Sequence, residues 1–312
     1  MRDQYAGDIS DLLKLALLRK LARDDRTIGV GWYYNSGHDG RSDGRHREYC
    51  DEPKWAFLDE VVLSALKKLP EQSVASLERL SIWPAKTCFH RVPMPGTENR
   101  RGWADNMKKI LQDASIVFLD PDNGVGPATE RHATIAEVAA MRRPGRAVVL
   151  IKFPSRQQKH SQQIEDYHNL LHDRASTLSV VTVCTCVWLK QPRTRWFTIV
   201  DADSALIART EDFARLLNGI EKCGADVVCG RWGAGYPGLP IMIGNPSTSE
   251  QARPQAETTG RTGATGNVCP ECGHQFKGSG FDGIDAHWRA KHEAIMPYRE
   301  AWPLLKAGVY RR

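Results

Sequence analysis

The sequence predicts an α/β fold, a mostly parallel Rossmann-like sheet with helices on both faces, followed by a small C-terminal zinc-binding module. Three observations predict it. The runs 116–119 and 147–151 are apolar without alternation, the mark of strands covered on both faces. Segments of helical period are interleaved with them, the pattern that yields parallel strands joined by helical crossovers. Near the C-terminus, Cys269 and Cys272 stand two residues apart and His287 and His292 four apart, a zinc-ligand spacing.

In chain order, residues 9–21 carry Leu12, Leu13, Leu15, Ala16, Leu17, Leu18 and Leu21, a broad apolar helical face that Asp8 or Ser10 can cap. Residues 28–34 read as a strand, followed by a polar loop rich in Gly, Asp, Arg and His. Helices are expected at 55–69, 103–111, 133–141 and 157–172, and strands at 116–119, 147–153, 180–189 and 196–200. Three regions follow: an α/β catalytic domain over 1–243, a flexible linker over 244–267 with almost no large apolar residue, and the zinc module over 268–312.

The composition excludes other classes. With 41% apolar and 26% charged residues in 312, the chain has enough material for a core and is neither disordered nor fibrous. No apolar stretch approaches the ~20 residues of a membrane span, and the start is too polar for a secretory signal, so a cytoplasmic protein with no membrane partner is expected. Six of the eight cysteines have no ligand spacing and read as core thiols. The net charge of +6 is bunched at 41–47, 142–146 and 190–195, which permits a polyanion partner; any single bunch more often means a solvated loop.

In open α/β sheets ligands bind beyond the carboxyl ends of the strands. The strand at 116–119 runs there into Asp120-Pro121-Asp122-Asn123-Gly124-Val125-Gly126. Two carboxylates can orient water or a base and an amide can read a base edge, so Asp120, Asp122 and Asn123 are the candidate catalytic residues. The plain alternative is an Asx turn leading into the next helix. Lys152, Ser155 and Arg156 follow the next strand, and Asn35, Asp39, Arg45 and His46 follow the first. All seven are expected to bind substrate at the same edge. Asp8, Asp11 and Lys14 can reach that edge too, but read as ordinary helix-surface charges.

The order of these features resembles the methyltransferases that modify adenine N6 in 23S ribosomal RNA. Gly7-Asp8-x-x-Asp11-x-x-Lys14 looks like that family's opening element, and Asp120-Pro121-Asp122-Asn123 falls where its Asp-Pro-Pro-Tyr loop grips the target amine. The resemblance implies S-adenosylmethionine as cofactor. Two features depart from the family: Trp32-Tyr33-Tyr34-Asn35 replaces the Gly-rich cofactor turn, and Asn123 stands at the place of the stacking tyrosine. A shorter similarity is to uracil-DNA glycosylases, whose Asp-Pro-Tyr-His-Gly-x-Gly and His-Pro-Ser-Pro loops are similar to Asp120–Gly126 and Phe153-Pro154-Ser155-Arg156. The C-terminal module resembles a C2H2 zinc finger with fourteen residues between its ligand pairs.

The replaced cofactor turn tips the expectation toward a DNA glycosylase that needs no organic cofactor, with nucleic acid, DNA in particular, as partner and modified phage DNA as a setting in antiviral defence. The alternatives are the adenine-N6 methyltransferase, a metal-dependent nuclease and a non-catalytic DNA-binding adaptor. The nuclease lacks its acid-x-Lys pair, since Leu150 stands two before Lys152.

Overall fold

The computed structural model describes residues 1–23, 25–37, 40, 47–155, 157–189, 192–231, 241–243, 269, 271–274 and 284–307. The chain divides into two compact units, Met1–Gln251 and Ala252–Arg312. The expected linker, 244–267, lies outside the described residues.

In the first unit the order is α1 (Ile9–Ala22), β1 (Ile28–Trp32), α2 (Ala56–Lys67), α3 (Val74–Glu78), β2 (Cys88–His90), α4 (Arg100–Ile110), β3 (Ile116–Asp120), α5 (Ile135–Met141), β4 (Ala147–Lys152), α6 (His160–Ala175), β5 (Ser179–Trp188), β6 (Pro192–Val200), α7 (Ser204–Asn218), β7 (Cys223–Arg231) and β8 (Ile241–Ile243). One sheet runs β2-β1-β3-β4-β6-β5-β7-β8. Its first four strands pair in parallel, and each later pairing is antiparallel. Only β6 and β7 therefore run against the common direction, which gives the mostly parallel α/β sheet that the apolar runs predict.

Period-two alternation sorts the core between the two faces. Ile116 and Phe118 of β3, Val149 and Ile151 of β4, and Phe197 and Ile199 of β6 share one cluster with α1, α2 and α7. Val117, Leu119, Val148 and Leu150 share the other with residues of α4, α5 and α6. Helix α1 is apolar almost all round, and 12 of its 14 residues are buried. It is thus an interior helix, flanked by α2 and α7, rather than a surface one. Its cap is Asp8, which accepts from the Ser10 and Asp11 amides.

Several boundaries differ from the expectation. β1 ends at Trp32, after which the Tyr33 carbonyl accepts from the Met1 ammonium and the Tyr34 carbonyl from the Met94 amide, and β6 begins at Pro192, extending its hairpin with β5. The short edge strand β2 and the closing α7, β7 and β8 were not anticipated. The basic bunch at 142–146 is largely consumed by the fold. Arg142 pairs with Asp201 at 2.6 Å, and Arg146 gives its guanidinium to the Ala114, Met141 and Leu111 carbonyls. All eight cysteines are free of disulfides. No helix among the described residues is long and apolar enough to cross a membrane.

Among the described residues of this unit two histidines are buried. His90 lies edge-on to Trp103 with neither ring nitrogen hydrogen-bonded, and His168 meets the Thr182 hydroxyl at 2.8 Å. Burial pushes both down to about 4. An unfolded histidine titrates near 6.5, so between these values the unfolded chain binds more protons than the folded one. Stability is therefore expected to decline as pH falls from about 6.5 toward 4, by up to about 1.4 kcal/mol per pH unit for each histidine. Urea midpoints at pH 7 and pH 5 should show a smaller decline in His90→Leu; an unchanged decline would contradict the assignment.

Candidate active site and metal centre

Asp120 is the last residue of β3, and its parity with Ile116 and Phe118 aims it at α1. There it meets Lys14, whose ammonium lies 3.0 Å from Asp120 Oδ2 and 2.7 Å from Asp11 Oδ1. All three side chains are buried, so Asp11 and Lys14 are not the surface charges expected from the sequence. Burial works against the Lys14 ammonium, but Asp11 and Asp120 outweigh it and hold its pKa above the usual lysine value. Two carboxylates share this one cation, and burial lifts the Asp11 carboxyl to about 6 against the pull of Lys14. Gly7 completes the arrangement: its amide donates to Asp11 Oδ2 at 2.7 Å from a left-handed conformation (φ +79°) that favours glycine.

The next acid, Asp122, differs. Its side chain keeps 25% of its surface exposed and pairs with the Met1 ammonium at 2.7 Å, while that ammonium also donates to the Tyr33 carbonyl. The loop beyond it is held firmly. Asn123 N donates to the Arg131 carbonyl, Val125 bridges Ala133, and Arg100 binds both the Glu137 carboxylate and the Thr129 carbonyl. Gly124 adopts φ +85°, and a Cβ there would meet Lys152 at 3.0 Å.

Asp120, Asp122 and Asn123 line one cavity of about 290 Å³ with Asp8, Asp11 and Lys14. Phe153, 42% exposed, also lines it, as do Arg131, Arg193 and Arg195. The volume is near the lower end for ligand pockets. The three expected substrate binders among the described residues, Asn35, Lys152 and Ser155, do not line it. Lys152 falls on the opposite sheet face because it has the parity of Leu150, and its ammonium sits 4.7 Å over the Tyr167 ring. Burial lowers its pKa. Ser155 exchanges backbone bonds with the Gln163 side chain ahead of α6. Asn35 is tied to Arg2 and Glu130 and is not in the wall. Asp39, Arg45, His46 and Arg156 lie outside the described residues. Sequence reasoning missed the Met1 ammonium, for which no motif exists, and the arginines of β6, which the basic run and strand parity together could have found.

At the end of β1, aromatic side chains stand where a Gly-rich cofactor turn would lie. Tyr33 is fully buried there, edge-on to Trp103, with its hydroxyl 2.9 Å from Glu137, and the Tyr34 hydroxyl donates to Asp3. The glycines of β1 admit α4 and the turn after it: a Cβ on Gly29 would meet Ala114 at 2.8 Å, and one on Gly31 would meet Met107 at 2.6 Å.

In the second unit, Cys269, Cys272, His287 and His292 bring their donor atoms within 4.8 Å of one another and could hold a metal ion. Cys272 Sγ and His292 Nε2 each lie 3.2 Å from His287 Nε2. The histidines come from α8 (Ile284–Lys291) and the turn after it. Gly273 N donates to the Cys269 carbonyl, folding the cysteine turn. Ile284 and Trp288 pack with Ala301 and Leu305 of α9 (Tyr298–Ala307), a small core for a domain of this size. Two sulfur and two imidazole donors suit a tetrahedral divalent ion.

No family model matches the chain, and no curated protein matches it. Among solved structures it is similar to protein LPL1258 of Legionella pneumophila str. Philadelphia 1, described under the family model DUF519. The identity is 12%, over 71% of this chain and 97% of that one, with a TM-score of 0.41.

Proposed function

We propose that the Met1–Gln251 unit is a hydrolase acting on nucleic-acid bases, a DNA glycosylase that cleaves the N-glycosidic bond of a modified base. What carries the reading is the division of labour between adjacent acids: Asp120 is consumed by Lys14, while Asp122 remains part-exposed in the wall of a cavity of nucleoside scale. In this reading Asp122 orients a water and takes its proton as the water oxygen bonds to C1′. The C1′–N bond breaks and the base leaves with the electron pair, stabilised by the Asn123 amide. Phe153 offers a stacking face to the everted base. The filled end of β1 favours hydrolysis over methyl transfer. Duplexes carrying modified bases, incubated with the protein and then heated in alkali, should break at the modified position. Breaks before alkali would point to a nuclease, and methyl incorporation from S-adenosylmethionine to the methyltransferase.

The second unit, on this proposal, holds a structural zinc and adds phosphate contacts through Arg289 and Lys291, both exposed on α8. One zinc per chain is expected, with cobalt giving a tetrahedral spectrum. Chelation should unfold this unit and redden Trp288 fluorescence while base release persists. Loss of base release in step with the metal would contradict a purely structural zinc.

A further inference from the structure

The cavity contains a cation that the hydrolytic chemistry does not use. Arg195 lies on β6 with the parity of Phe197 and Ile199, and so faces α1 on the same side of the sheet as Asp120. It is 5% exposed and forms part of the cavity wall. Its Nε donates to the Ser10 hydroxyl at 2.6 Å, and Nη1 reaches the Arg193 carbonyl at 3.4 Å. Among the described residues no carboxylate lies at ion-pairing distance from it, although Asp8 and Asp11 attract it from farther off and only partly offset its burial. Asp8, at the start of α1, is already occupied: it accepts from the Ser10 and Asp11 amides and from the Ser10 hydroxyl.

A guanidinium has five donor hydrogens, and a buried one without an anion is costly. Ser10 fixes the Nε position and leaves most of the donor fork uncommitted. Two residues earlier on the same strand face, Arg193 also lines the cavity. Two neighbouring guanidinium groups suit a doubly charged, multi-oxygen anion better than a single carboxylate.

We infer that Arg195, seconded by Arg193, forms a phosphate subsite that holds the phosphate of the nucleotide entering this cavity. The inference rests on the nucleic-acid reading for the identity of the ligand, but binding can be measured without turnover. The phosphate would fix the sugar by its charged end, so that Asp122 needs only to orient the water.

The test is calorimetric titration of the full chain with deoxyadenosine 5′-monophosphate, deoxyadenosine and orthophosphate. The monophosphate is expected to bind at least tenfold more tightly than the nucleoside, with orthophosphate competing. Arg195→Met should remove that advantage, and Arg195→Lys, which keeps the charge without the fork, should retain only part of it. Arg193→Gln, at a less buried position, should weaken binding severalfold and guards against a folding defect in the first variant. Equal binding of nucleotide and nucleoside, no saturable binding of monophosphate or orthophosphate at millimolar concentration, or unchanged affinity in Arg195→Met would each overturn the subsite. Phosphate binding that persists in a protein releasing no base would sink the glycosylase reading alone.

Discussion

Asp122→Asn is expected to slow base release by about a hundredfold to ten-thousandfold while leaving the fold intact, the usual range for removing a general base. The asparagine is isosteric but cannot take a proton from water. It also loses the charge that meets the Met1 ammonium at 2.7 Å, so a modest drop in stability should accompany the catalytic loss. A quarter-exposed pair is worth at most about 1 kcal/mol by comparison with other exposed pairs. The two effects are separable: thermal melting reads one and single-turnover kinetics the other. Full activity in Asp122→Asn would remove Asp122 from the mechanism.

Lys14→Met should have the largest effect on stability. It leaves Asp11 and Asp120 buried without their shared cation, and breaking a buried pair in this way costs about 3–5 kcal/mol. In a unit of this size that corresponds to a fall in melting temperature of about 10 °C. The sign with pH follows from the same groups. With the ammonium gone, nothing opposes the burial that lifts the Asp11 carboxyl, so it binds a proton more readily in the folded state and acid should narrow the gap between variant and wild type. Lys14→Met combined with Asp11→Asn and Asp120→Asn should recover much of the loss, since none of these three positions then carries a buried charge. A single variant as stable as wild type at pH 7 would mean that the three side chains are not the closed ionic group described here.

Much of the fold was legible because two central strands carry wholly apolar runs: residues 116–119 and 147–151 can only be interior. The candidate catalytic acids were legible for a related reason, since polar residues directly after such a run must leave the sheet at its ligand-binding edge. Which face each residue takes was the harder matter. Lys152 and Asp120 end neighbouring strands, yet one has the parity of Leu150 and the other that of Phe118, so they point to opposite layers. The parity was present in the sequence, but it becomes informative only once the two core clusters are known. Asp11 and Lys14 were misjudged because a charge on a helix is ordinarily solvated. The clue was the breadth of apolar residues around α1, which leaves no solvent face for charges to occupy. The short strand β2 was too brief to show any period, and the Met1 ammonium belongs to no side-chain pattern. The four residues that could hold a metal ion were legible from spacing alone, because the cysteine turn and the end of α8 fix the separation within each pair locally.

The most direct measurement is chromatographic detection of the free base from a panel of duplexes carrying modified bases, with the alkali-labile sites counted in parallel. The account predicts one free base released per abasic site, by the wild-type chain and not by Asp122→Asn, with the strand intact before alkali. Contradiction would be an intact panel with no base released, or equal release by the Asp122→Asn chain.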